Sequence, residues 1–283
     1  MIITKNEMLE KISIFDTPDF TFDDPTHIYT YKGKQFPSVT GVISNFHAPF
    51  DSDYWLERKA EERGVDESII KAEWDFKRDY ACDLGTDVHE WIEDYYNEKW
   101  RPLPANEDRM NRVKKFLDLY VSRLCKLQPL AMELRIWAER WNLAGTIDAL
   151  FLRHDYENQK TYLLVGDWKT NKKFTYDEHP DVNGRYKLLA PFDDLLDTKH
   201  NDYSIQISIY RLMLAEHGIE TDGGFLVHLG PDDQPGKIFK AKDLREPLEK
   251  YLDEQYGNKK LDAHNNDDLT KHIIEQNGNK RIT

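Results

Sequence analysis

The sequence predicts an α/β (α+β) protein, in which a central mixed β-sheet is flanked by helices and preceded by a helical N-terminal region. Three observations predict it. A helical apolar period dominates from about 51 to 126, strand-like segments follow at 130–140, 145–153 and 161–168, and a further helix with two strands closes the pattern. Hydrophobic residues make up 39 % and aromatic residues 12 % of the chain, too many for a disordered protein even with 32 % charged residues. At 283 residues the chain reads as one domain with appendages: a hairpin and helical region over 1–127, a core over 128–256 and a C-terminal helical tail over 257–283.

Taken in order, residues 27–36, HIYTYKGKQF, alternate around Lys32-Gly33-Lys34 and predict a hairpin. Pro37-Ser38-Val39-Thr40 leads into a helix with Val42, Ile43 and Phe46 on its apolar side. Residues 51–98 read as helix with breaks near Gly64 and Gly85, and another helix spans about 106–126. TYLLVGDW, ending at Trp168, is an apolar run with polar residues at its end, the pattern of a buried strand that delivers a side chain to a site. A helix over 202–217 and strands at 223–229 and 236–241 follow.

Composition removes several function classes. No apolar stretch reaches signal-peptide or membrane-spanning length, so a cytoplasmic protein without membrane contact is expected. Cys82 and Cys125 are too few for a disulfide framework, an all-cysteine zinc site or an iron-sulfur cluster. The net charge of −13 argues at first against a nucleic-acid partner, but an enzyme that gathers carboxylates around divalent cations is locally acidic and can still carry a basic groove.

The chemistry concentrates on two carboxylates and a lysine. Asp148 and Asp167 lie on consecutive predicted strands, and Lys169 stands two positions beyond the second. Residues i and i+2 of a strand share a face, so Asp167 and Lys169 project together while Trp168 turns away. Hard oxygen ligands of this kind suit Mg2+ or Mn2+, and the ammonium can orient a water or meet charge building on a phosphate. An isolated Asp-x-Lys is more often a surface salt bridge; here GTIDAL and VGDWKT set each acid among strand-forming residues.

GTIDALF together with LLVGDWKTNKK resembles the PD-(D/E)XK nuclease superfamily, in particular its RecB-like and mitochondrial genome-maintenance exonuclease-like branch. The resemblance implies a restriction-endonuclease-like core, Asp148 and Asp167 as metal ligands, Lys169 as the catalytic lysine and the Trp168 carbonyl as a further ligand. Gln206 and Tyr210 match the family's Gln-x-x-x-Tyr motif, and at i and i+4 they share a helix face that would reach the scissile region or the DNA backbone. His89, in GTDVHEW, resembles the helical histidine that RecB-like nucleases add to the metal shell.

Weaker matches extend the pattern. Glu133 occupies an acid position preceding the Gly-Thr-x-Asp strand but is not assigned as a ligand, and Glu139 competes for the same role. PSVTGVI offers Ser38 and Thr40 either as phosphate-binding hydroxyls or as a helix cap. The segment 174–203 resembles insertions of bacteriophage members; Lys172, Lys173, Arg185 and Lys187 would make it a basic flap, or it is a solvated loop. Trp91 and Tyr176 read either as base-stacking or as core residues.

The expectation is therefore an Mg2+- or Mn2+-dependent exonuclease, without an iron-sulfur cluster. It would act on DNA ends or single strands in recombination, replication or repair, alongside a single-strand-binding or recombination partner protein and, if phage-encoded, in the host cytoplasm. A structure- or sequence-specific endonuclease on the same scaffold and a non-catalytic DNA-binding module are the alternatives.

Overall fold

Polar caps written into the sequence decide where most helices begin. In the computed structural model, which describes residues 2–177, 186–231 and 234–257, Thr4 and Glu7 form a capping box ahead of α1 (Lys5–Ile12). Side chains of Ser38, Asp51, Asp66, Asn106 and Thr198 cap α2 (Val39–Ile43), α3 (Ser52–Arg63), α4 (Glu67–Tyr96), α5 (Glu107–Ser122) and α6 (Lys199–Glu216). The last helix among the described residues, α7 (Arg245–Gln255), lacks a side-chain cap, and the sequence reading does not single it out.

Of the two expected helix breaks, one is present. Gly64 ends α3 in the left-handed region at φ 63°, where a Cβ is unfavourable. At Gly85 there is no break, and α4 runs for 30 residues. A glycine inside a helix costs only about 1 kcal/mol. Burial of Leu84, Val88, Trp91 and Ile92 on both sides of it outweighs that cost.

The expected hairpin gains a strand. β1 (Phe20–Asp23), β2 (Ile28–Tyr31) and β3 (Lys34–Phe36) form an antiparallel sheet in that order, with Lys32 and Gly33 both at positive φ in the two-residue turn. β1 escapes a sequence reading because four residues are too short for alternation to stand out. Its Phe22 ring instead packs on Tyr29 of β2, centroids 4.5 Å apart.

The main sheet is mixed and has five strands in sequential order: β4 (Gln128–Ala138), β5 (Leu143–Asp155), β6 (Lys160–Lys169), β7 (Gly223–His228) and β8 (Lys237–Lys240). Neighbours are antiparallel except β6 and β7, which run parallel and are joined through α6. Helices cover both faces. Phe151, Trp168 and Phe225 pack with α4 and α5, whereas Leu150, Val165 and Leu226 pack with α6, α7 and the small sheet. The sheet is thus a middle layer, and helices from both faces reach the end of β6.

α6 is enclosed on every side: from Asn201 to Leu214 only Tyr203 is not fully buried. The segment expected as a flap is anchored to the same core by Phe174, Leu188 and Phe192, while Lys172, Lys173 and Lys187 are exposed. Arg185 and residues 258–283, nearly all of the expected tail, lie outside the described residues. Trp91 is core, its indole N–H donating to the Pro102 carbonyl, and Tyr176 packs on Phe239. Among the described residues no helix is long and apolar enough to cross a membrane.

One core residue carries a cost that a substitution removes. The Tyr96 hydroxyl is buried among Phe116, Phe151 and Trp168 without a hydrogen-bond partner among the described residues. Tyr96→Phe keeps the ring and deletes the unsatisfied group, so urea denaturation should show about 1 kcal/mol of added stability. A variant less stable than its parent would mean that the hydroxyl is satisfied by ordered water.

Candidate functional site

The β5–β6 ladder ends at the pair Ala149–Gly166, and the next two positions are Asp148 and Asp167. Period-two geometry puts Asp167 and Lys169 on the face of Val165, toward α6, and Trp168 on the opposite face among α4 and α5. The Lys169 ammonium lies 2.7 Å from Asp167 Oδ2, and that carboxylate is only 2 % exposed. Beyond that ladder Trp168, still paired with Val227 of β7, has no β5 partner, and the Asp148 carboxylate stands in by accepting the Trp168 N–H at 2.8 Å. Asp148, Asp167 and Lys169 are brought together as the spacing predicts.

Gln206 and Tyr210 reach the same place in a direction the sequence does not give. Gln206 Oε1 accepts from Lys169 at 3.0 Å, and its amide donates to the Tyr210 hydroxyl at 3.1 Å. Both side chains are buried beside the lysine. Gly145 makes room for this arrangement, since a Cβ there would stand 2.8 Å from the Tyr210 ring. Tyr203, missed by the sequence reading, holds its ring 4.3 Å from the Lys169 ammonium. Its signal was available: three residues before Gln206, it shares that helix face.

His89 arrives from the other layer, on α4. Its Nδ1 is 3.6 Å from both Glu133 Oε1 and Asp148 Oδ2, while Nε2 donates to the Trp168 carbonyl at 3.0 Å. That contact brings the Trp168 carbonyl to the imidazole. The carbonyl orients the imidazole and leaves Nδ1 to face the two carboxylates, as outer partners of metal-bound histidines do.

Glu133, set aside in the sequence reading, belongs to this cluster. It sits opposite Asp148 between the pairs Met132–Ala149 and Leu134–Ile147, at φ 48°, a conformation rare for a residue with a side chain. Glu139 instead pairs with Lys32 at 2.7 Å on the surface. Donor atoms of His89, Glu133 and Asp148 all lie within 4.8 Å of one another.

Electrostatics favour a cation here. Burial pushes the Asp167 carboxyl up to about 7 against the opposing pull of Lys169, and burial likewise raises Asp148. Burial disfavours the charged His89 ring, yet Asp148 and Glu133 outweigh it and lift the imidazole to about 9. Asp167 Oδ1 is buried without a hydrogen-bond partner among the described residues. Three carboxylates therefore face one ammonium and one imidazole, a donor set that fits a hard divalent ion.

No protein-family model matches the chain, and no curated protein matches it.

A second cluster differs in geometry. The His47 ring lies between two carboxylates, Nδ1 3.3 Å from Asp197 and Nε2 3.3 Å from Asp202. One ion cannot take both ring nitrogens, so the arrangement suits an imidazolium that ties the segment after α2 to the start of α6. Pairing with Asp202 raises the His47 pKa above its usual 6.5, against the effect of burial. The stabilisation is therefore complete below about pH 6.5 and is lost as the pH rises through the raised value. His47→Gln should cost about 1 kcal/mol at pH 6 and almost nothing at pH 9 in urea titrations. An equal loss at both pH values would rule out the imidazolium.

Ser38 acts as a cap, its Oγ accepting the Gly41 N–H at 3.1 Å, while Thr40 is exposed and shares a hydroxyl contact with it. Lys172 stands exposed three residues beyond Lys169.

Proposed function

We propose that this chain is an Mg2+- or Mn2+-dependent deoxyribonuclease that hydrolyses phosphodiester bonds at DNA ends or in single strands. The observation that carries the reading is the convergence on one strand end of a buried Asp167–Lys169 pair with a His89, Glu133 and Asp148 cluster. A merely structural ion pair needs neither the histidine nor the strained glutamate.

His89, Glu133 and Asp148 would hold the ion, with Asp167 adding a buried carboxylate. A divalent cation bound there supplies a polarised phosphate and a water of lowered pKa. The chain's own residues do the rest. Lys169 presents its ammonium where negative charge grows on the phosphate oxygens, or orients the attacking water. Gln206 fixes that ammonium with its oxygen, because its nitrogen is committed to Tyr210. Tyr203 limits the lysine from the third side.

Incubating the purified protein with end-labelled linear DNA and closed circular DNA, with Mg2+ or Mn2+, tests this. Loss of the linear substrate alone supports an exonuclease. Cutting of closed circles points to an endonuclease, and binding without any cleavage to a DNA-binding module.

A further inference from the structure

Arg112 is an unexplained expense in the core. It sits on α5 with its side chain only 4 % exposed, in a layer otherwise built from Val113, Phe116 and Leu119. Burying a guanidinium is costly unless its donors are satisfied, and an apolar residue of the same length would fill the space. Three of its N–H donors have protein acceptors, and those acceptors point to a purpose. Nε donates to Asp108 Oδ1 at 2.8 Å, and Nη1 donates to the Thr170 carbonyl at 2.6 Å and to the Leu229 carbonyl. Thr170 follows Lys169, and Leu229 follows the last residue of β7.

Successive carbonyls at the end of β6 are each held by a different element. Trp168 is met by His89 of α4, Lys169 by the N–H of Leu229 at 2.8 Å, and Thr170 by Arg112 of α5. Asp108, the partner of Arg112, also accepts from the Tyr80 hydroxyl of α4 at 3.2 Å. One guanidinium therefore pins the ends of β6 and β7 together and ties both to the helix that carries His89.

We propose that Arg112 is a positioning residue for Lys169: its hold on the Thr170 and Leu229 carbonyls fixes the peptide that aims the lysine at the reacting phosphate. This rests on the nuclease reading. A lysine at 112 keeps the charge but lacks the planar fork that reaches both carbonyls and Asp108.

Two measurements on Arg112→Lys and Arg112→Met test it. Hydrogen exchange without substrate should show faster exchange of the Leu229 amide in both variants, with Val165 and Val227 in the sheet interior unchanged. In turnover on a linear oligonucleotide, kcat should fall by about 10²-fold, the cost of a small misplacement, while KM stays within about twofold. Wild-type exchange at Leu229 in both variants would overturn the clamp, whether or not DNA is the substrate. A folded Arg112→Lys variant with wild-type kcat would overturn the link to Lys169. A parent protein that cuts no DNA with either metal overturns the nuclease reading instead, and the exchange result then stands alone on the clamp.

Discussion

Lys169→Ala should lower turnover on linear DNA by about 10²–10³-fold, the usual loss when one positioned charge-stabilising group is removed. The lysine's ammonium lies within salt-bridge distance of Asp167, and three separate groups hold it: Asp167, Gln206 and the Tyr203 ring. The variant leaves Asp167 buried without its counter-charge. Breaking such a pair can cost about 3–5 kcal/mol when a charge is stranded. Here the carboxyl has an escape, because burial already pushes it up to about 7 and it takes up a proton. At pH 6 the metal-free variant and parent should therefore melt at similar temperatures, and the lost activity is not a lost fold. Retained turnover in a folded Lys169→Ala variant would remove the lysine from the mechanism.

The parts of this site that a sequence shows are those fixed by local geometry. Asp167 and Lys169 are legible because period-two alternation places them on one face and the apolar run TYLLV marks the strand that bears them. Asp148 is legible because an antiparallel neighbour of that strand must pass beside its end. What the sequence hides depends on three-dimensional closure. Glu133 enters the cluster only because its backbone takes φ 48°, which no propensity announces in an ordinary glutamate. Gln206 and Tyr210 show a spacing but not a direction. α6 is buried all round, and a helix without a polar face does not say which side meets the site. Gly85 misled for a related reason: local helix cost argued for a break, and packing on the sheet overrode it. Arg112 was hidden outright, since an arginine in an amphipathic helix reads as a solvated charge until its two carbonyl acceptors are seen.

Asp148→Asn should act with opposite sign on the metal-free and metal-loaded protein. Without metal, burial holds the Asp148 carboxyl above its ordinary pKa, so its charge is a burden on the fold. Asparagine removes that charge and can still accept the Trp168 N–H through its amide oxygen, so the metal-free variant should be at least as stable as the parent. Added Mn2+ should stabilise the parent by about 2.7 kcal/mol at a hundredfold excess over its Kd. In the variant most of that gain should vanish, because one of the cluster's charged donors is gone. Glu139→Gln is the matched control: it removes a carboxylate from a surface pair with Lys32 and should leave the metal response intact. His47→Gln separates the two histidine clusters. If Mn2+ still stabilises Asp148→Asn fully but no longer stabilises His47→Gln, the ion belongs beside Asp202 and the centre is misplaced. If Asp148→Asn alone abolishes the response, the ion sits beside the buried lysine, where a phosphodiester would meet both charges at once.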